Sequence, residues 1–342
     1  MIKKLNFAGR WYPIIRVLTR KKLELKPPLP KIVAIDPTPG ICNLRCPLCP
    51  TGNNTINFEK KMIEYENFTK ILDKVHSATS LQMFSWGESL LHPKICEMIG
   101  YASKKGLSID IHSNFSLKLS EEFLEKLVKS GLTNLTLSID GASQETYEKY
   151  RRNGNFSTVL ENMEKISRIK KMLGSQKPNV IWKFVVNKYN EHEVEKARNM
   201  AESFGFDFRT SVFTLVDDVV DLPTQQYDKN RALELIDEWM PSEKYVYEPY
   251  KNLKDGKNSE SLYGGHCTFL WDAIYVNPDG SVYPCCFATS PKSSFGNILT
   301  QPLEEIWNSS DYLYSRNLFT KEKFEGKVNN ICTGCTNFKR VR

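Results

Sequence analysis

Cys42, Cys46 and Cys49 lie in the run Cys42-Asn43-Leu44-Arg45-Cys46-Pro47-Leu48-Cys49, a Cys-x3-Cys-x2-Cys triplet. Three thiols this close together converge on one metal centre, because otherwise they are crowded and oxidisable. Their number is informative. A structural zinc ion takes four protein ligands, usually Cys or His. No fourth stands nearby in sequence, although folding can bring His112 close. A four-iron cube held by three cysteines leaves one iron open to an outside ligand, and an open iron can do chemistry. The cube is the preferred reading, with zinc or unligated thiols as the alternatives.

Four later cysteines form a second group. Cys267 and Cys285 bracket a hairpin signal, and Cys332-Thr333-Gly334-Cys335 completes the set. Four thiols suffice for a closed centre, and taken alone they fit a zinc ribbon as well as an iron–sulfur cluster. Cys286 is either an alternative ligand or a bystander. Cys96, alone in a helical stretch, reads as a small buried hydrophobe.

Nine cysteines in a 342-residue chain without an export signal point to a reducing, cytoplasmic setting and to metal binding rather than disulfides. The chain is 40% hydrophobic and 25% charged, the balance of an ordinary globular protein. No apolar run approaches the roughly 18 residues of a membrane span, so no integral membrane segment is expected. The start, Met1-Ile2-Lys3-Lys4-Leu5, has neither the apolar stretch nor the cleavage site of a signal peptide. The net charge of +7 is spread along the chain, which argues against a nucleic-acid partner. Arg16, Arg20, Lys21 and Lys22 follow Trp11, Tyr12, Ile14 and Ile15. They read as a helix packed on the main fold with a solvated basic edge; the alternative is a weak membrane-surface or partner contact.

The elements that must position these cysteines alternate. Short β-branched or apolar runs fall at 32–35, 81–86, 107–111, 135–139, 180–186 and 208–213, with amphipathic helical segments such as 120–130 and 156–172 between them. Ser120 followed by Glu121 and Glu122 is start chemistry for a helix, and Gly131 marks its stop. About six βα units predict a parallel sheet covered by helices, and six rather than eight predict an incomplete barrel. Ligands in such folds sit at the carboxyl ends of strands, where the triplet lies. The fold class is therefore α/β: a partial (β/α)6 TIM-like barrel with a small C-terminal β-hairpin/helix iron–sulfur domain. The expected division is an extension at 1–30, ending in Pro27-Pro28-Leu29-Pro30, and the barrel at 31–216. A helical linker at 217–263, with a helix at 225–240, leads to the second cysteine domain at 264–342. In that domain Asn277-Pro278-Asp279-Gly280 turns the hairpin between 274–276 and 282–283.

Several motifs share one family. Phe84-Ser85-Trp86-Gly87-Glu88, followed by Leu90-Leu91-His92-Pro93, closes the second strand; Leu137-Ser138-Ile139-Asp140-Gly141 closes the fourth; Tyr147-Glu148-Lys149-Tyr150-Arg151 follows. With the triplet after the first strand, residues 31–215 resemble the radical S-adenosylmethionine (SAM) superfamily. The resemblance implies that Gly87 and Glu88 meet the SAM ammonium, although Trp86 stands where the family has a glycine and Ser89 where it has a proline. It makes Ser138 a ribose or carboxylate contact and Arg151 a partner of the SAM carboxylate. Asp140 is either a cofactor contact or a helix cap. His112-Ser113-Asn114 replaces the family's Thr-Asn-Gly, leaving Asn114 as a cavity residue, and Val185-Val186-Asn187 resembles the strand end near the adenine.

Gly280-Ser281-Val282-Tyr283-Pro284-Cys285, Phe295-Gly296-Asn297-Ile298 and Glu305-Ile306-Trp307-Asn308 resemble a shortened, twitch-like SPASM domain. That implies an auxiliary [4Fe–4S] cluster on Cys267, Cys285, Cys332 and Cys335, beside the SAM-binding [4Fe–4S] cluster of the triplet. The resemblance implies a radical SAM oxidoreductase. It cleaves SAM reductively to a 5′-deoxyadenosyl radical, which takes hydrogen from a substrate carbon. The expected reaction is oxidation or dehydrogenation of a sugar-like or other small molecule. A peptide-modifying maturase is the alternative, and an iron–sulfur electron carrier or metal-binding protein is the non-enzyme reading. An electron donor such as flavodoxin or ferredoxin is the expected partner.

Overall fold

In the computed structural model the described residues are 23–55, 60–212, 220–221, 226–246, 248–256, 267–288, 290–322, 324–326 and 328–335. The basic and aromatic run at 11–22 and parts of the 217–263 segment lie outside them.

The βα alternation is present as predicted. Strand β1 (Ile32–Ile35) leads to α1 (Tyr65–Lys74), β2 (Ser80–Met83), α2 (Ile95–Lys104) and β3 (Ser108–Ser113). Next come α3 (Glu121–Lys129), β4 (Asn134–Ser138), α4 (Gln144–Tyr150), α5 (Phe156–Met172), β5 (Asn179–Val185), α6 (Val194–Ser203) and β6 (Asp207–Ser211). Each local choice has a visible cause. Ser120 caps α3 by accepting the Phe123 amide, with Glu121 and Glu122 in the first turn and Lys126 and Lys129 in the last. Gly131 then turns the chain at φ +93°. Helix α5 starts on the Asn155 cap and buries Phe156, Val159, Met163, Ile166 and Ile169, a stripe of helical period.

Beyond β6 come the short pair β7 (Val220–Asp221) and β8 (Gln226–Tyr227), then α7 (Lys229–Trp239) and α8 (Glu248–Lys254). Helix α9 (Phe269–Asp272) precedes β9 (Ala273–Val276), β10 (Ser281–Tyr283), β11 (Gly296–Asn297), α10 (Leu303–Trp307), α11 (Ser310–Asn317) and α12 (Ile331–Gly334). The predicted hairpin forms around Gly280, whose φ is +84°.

Strands β1 to β6 are parallel and adjacent in chain order, the arrangement of a partial barrel. The sheet does not stop at β1. Strand β9 pairs parallel to β1, Ile32 opposite Ala273 through Ile35 opposite Val276, so one sheet of nine strands runs from β11 to β6. The hairpin of the second cysteine group is thus hydrogen-bonded onto the barrel edge.

Alternation assigns the two faces. Val33, Leu81, Ile109, Leu135, Trp182 and Ile274 belong to the core under the helices. Gln82, Asp110, His112, Ser138, Lys183 and Tyr275 therefore point to the opposite, barrel-interior face. That interior is polar and partly open. Cys96, expected to be buried, is only half-buried on α2.

The C-terminal elements pack around Arg316, which is fully buried and donates to the carbonyls of Leu270 and Trp307 at 2.9 and 2.8 Å. Its guanidinium carbon lies 4.2 Å from the Trp307 ring centroid.

Candidate active site

The triplet follows β1 as a loop folded on itself and pinned from several sides. Cys49 N–H donates to the Cys46 carbonyl, and Arg45 N–H to the Arg152 carbonyl beyond α4. A Cβ on Gly52 would lie 2.3 Å from the Cys46 carbonyl oxygen, so only glycine lets the loop close behind Cys46. Leu48, between two of the cysteines, packs into a cluster with Leu235, Ile236 and Trp239 of α7 and with Tyr250. The segment after β6 therefore covers the triplet loop.

Polar hydrogens converge on the sulfurs. The Leu44 amide points at Cys42 Sγ at 3.4 Å, Asn114 Nδ2 lies 3.7 Å from the same sulfur, and Arg151 Nη1 lies 3.9 Å from Cys46 Sγ. Burial pushes the Cys42 thiol up to about 11 and the Cys46 thiol up to about 12. Ligation of iron opposes that, because a metal ion makes the thiolate the favoured form. Donors aimed at sulfur and a neighbouring guanidinium suit an anionic thiolate cluster. Among the described residues, no three His, Cys, Asp or Glu side chains are grouped to hold a single metal ion.

The Gly87-Glu88 segment faces this loop. Asp36, fully buried after β1, accepts the Trp86 and Gly87 amides on Oδ2 at 2.6 and 2.9 Å and the Thr38 amide on Oδ1 at 3.0 Å. A Cβ on Gly87 would fall 1.9 Å from the Thr38 carbonyl oxygen, so the backbones touch. Glu88 is buried, with Oε2 accepting the Asn114 amide at 2.7 Å and Oε1 the Leu90 amide at 3.1 Å. Burial raises its pKa, opposed by those amides. Its carboxylate thus ties the second strand end to the third.

The fourth strand end supplies a buried ion pair. Arg151, just past α4, donates from Nε to Asp140 Oδ2 at 2.7 Å. Asp140 is fully buried, and its Oδ1 accepts the Val185 amide at 2.8 Å. Burial alone would lower the Arg151 pKa, but the Asp140 carboxylate and the Cys46 sulfur together hold it well above its usual value. Asp140 therefore uses both oxygens within the protein and aims Arg151 at the triplet. Ser138 stands on the interior face, in register with Lys183 on β5, which is in turn opposite Arg209 on β6.

Sequence reasoning passed over several members of this site. Asp36 and Trp86 work through partners 50 and more residues away. Lys183 was legible as a lone charge in the apolar run Val-Ile-Trp-Lys-Phe-Val. The ring of His112 stacks on Phe84 at 3.6 Å between centroids.

The second cysteine group also converges. Cys267, Cys285, Cys332 and Cys335 line one largely apolar pocket, walled by Phe269, Phe287 and Phe319. Cys285 is half-buried; burial pushes its thiol up, and Cys286, Cys332, Cys267 and Cys335 all act on it in the same direction. Cys286 lies outside that lining. With Cys285 it faces a cleft lined by Asp36, Phe84, Trp86 and Tyr275.

Comparison with known proteins agrees with this architecture. Residues 37–201 match the Radical SAM superfamily, and residues 267–336 match SPASM, an iron–sulfur cluster-binding domain. The chain is 26% identical over 335 residues to the AdoMet-dependent heme synthase of Methanosarcina barkeri, covering 90% of this chain and 91% of that one. It is 25% identical over 292 residues to the PqqA peptide cyclase of Granulibacter bethesdensis, covering 78% and 72%. Streptococcus suis SuiB bound to S-adenosylmethionine shares the fold with a TM-score of 0.62 at 14% identity, over 86% of this chain and 69% of that one. No helix among the described residues is long and apolar enough to cross a membrane. The chain therefore carries a radical SAM domain followed by a SPASM domain, and the cofactors of these domains are SAM and [4Fe–4S] clusters.

Proposed function

We propose that the chain oxidises a small molecule, sugar-like or otherwise, by removing hydrogen from an unactivated carbon. The observation that carries this reading is a second, converging group of four cysteines whose hairpin is hydrogen-bonded onto the barrel that carries the triplet. In this reading Cys42, Cys46 and Cys49 hold the SAM-binding cluster, and Cys267, Cys285, Cys332 and Cys335 hold the auxiliary cluster. When bound, the cofactors supply a one-electron cleavage of SAM to methionine and a 5′-deoxyadenosyl radical, and a second iron–sulfur centre able to take up an electron. The substrate would lose one hydrogen atom, which leaves in 5′-deoxyadenosine formed from the 5′-deoxyadenosyl radical, and then one proton and one electron, a net two-electron oxidation.

The chain's own residues bind and orient. Gly87, packed without a Cβ against the Thr38 carbonyl, holds the 86–88 backbone beside the SAM ammonium, and Glu88 provides a buried negative charge next to it. Arg151, fixed by Asp140, offers a guanidinium to the SAM carboxylate. Ser138 contacts the ribose side. The polar barrel interior, with Asp110, His112, Lys183 and Arg209, holds the substrate and supplies its proton acceptor. Leu48 and the α7 side chains packed over the loop exclude water. A flavodoxin or ferredoxin in a cytoplasmic, reducing setting provides the electron.

The small-molecule reading is supported by the near full-length match to a heme synthase. The match to a peptide cyclase supports peptide modification as the second reading. Anaerobically reconstituted protein, offered separately a small-molecule extract and a peptide fraction, separates them. The proposal predicts 5′-deoxyadenosine above the substrate-free rate only with the small-molecule fraction, and a compound lighter by two hydrogens. Stimulation by the peptide fraction alone establishes the second reading. In Cys332→Ala, product formation should stop while some SAM cleavage persists; equal loss of both would contradict the division of labour.

A further inference from the structure

Trp86 occupies a position that none of the cofactor assignments uses, yet it is tied to three separate parts of the chain. Its backbone N–H donates to buried Asp36 at 2.6 Å, fixing it to the end of β1. Its carbonyl accepts the Thr51 hydroxyl, two residues past the triplet. Its indole Nε1–H donates to the Cys286 carbonyl at 3.0 Å, 200 residues away and next to Cys285. The neighbouring Gly87 is pinned to the same Asp36 oxygen and has no room for a Cβ. The 86–88 backbone therefore cannot move without moving Trp86, and Trp86 cannot move without pulling on the 285–286 backbone.

We propose that Trp86 is a positioning residue that links the SAM-binding segment to the ligand loop of the auxiliary cluster, so that SAM bound at the first site is felt at the second. The proposal rests on the placement of SAM at Gly87-Glu88. Its physical basis is a rigid strut. An indole held at its backbone by a buried carboxylate loses little freedom when its N–H bonds to a carbonyl, so a shift at one end reaches the other. The chemistry gains from it: the auxiliary loop is ordered when SAM is in place.

Anaerobic hydrogen exchange on the fully reconstituted protein, with and without SAM, tests this directly. In the wild type SAM should slow exchange at 84–90 and also at 283–288. Trp86→Phe keeps a ring in the cleft and removes only the N–H. It should retain the full iron content and the protection at 84–90, while amides at 283–288 exchange about fivefold faster with SAM bound than in the wild type, the worth of one hydrogen bond. Wild-type-like protection of 283–288 in Trp86→Phe overturns the proposal. So does a wild type in which SAM protects 84–90 but not 283–288, and so does loss of iron from Trp86→Phe, which would mark a merely structural role. Absence of protection at 84–90 in the wild type, with SAM bound, overturns the placement of SAM itself.

Discussion

At Asp140 and Arg151, the ion pair is worth more for aim than for stability. Burying two charges is costly, and the gain is a guanidinium fixed beside Cys46. Asp140→Asn leaves Arg151 buried without its counter-charge, and should cost about 3 kcal/mol in denaturant unfolding together with a large loss of SAM affinity by calorimetry. Gly87→Ala places a methyl against the Thr38 carbonyl. Overpacking strain of about 1–3 kcal/mol should weaken SAM binding about tenfold or more, measured by the same titration. The cysteines, Gly87, Glu88 and Arg151 stand out as candidates in the sequence because their chemistry is local: a spacing, a dipeptide, a charge after a strand end. Asp36 does not. Its three amide partners are fixed by the fold, and an aspartate after a strand reads the same whether it caps a turn or ties two strand ends together.

At the scale of elements, periodicity placed all six barrel strands within a few residues and gave α5 its observed bounds, because its apolar stripe and Asn155 cap agree. The pairing of β9 with β1 was not legible. The residues that pair are some 240 positions apart, and nothing in the run Ala-Ile-Tyr-Val names its neighbour. The second cysteine group depends on short elements held by side chains. Asn330 caps α12 by accepting the Cys332 amide, while its Nδ2 donates to Asp311 and Ser315 of α11. Asn330→Ala removes the cap, worth about 1 kcal/mol, and the docking with it. Iron should fall by about one cluster per chain, by colorimetric assay, while SAM cleavage continues.

Across the whole molecule, one continuous sheet sets the spacing of the two cysteine groups. The barrel brings the triplet, Gly87-Glu88 and Arg151 to its carboxyl end, and the hairpin paired to β1 leads into Cys285 and Cys286, where the Cys286 carbonyl meets the Trp86 indole. The hairpin's own turn was plain in the sequence, but its attachment to the barrel edge came only from the fold. The central claim is that the open position of the triplet's cluster is where SAM binds and is cleaved. Protein reconstituted with iron and sulfide under anaerobic conditions, reduced with dithionite and given SAM, should release 5′-deoxyadenosine and methionine in equal amounts. Cys42→Ala, Cys46→Ala and Cys49→Ala should each release none. Absence of 5′-deoxyadenosine from the wild type, with its cluster reduced and SAM bound, would contradict the account.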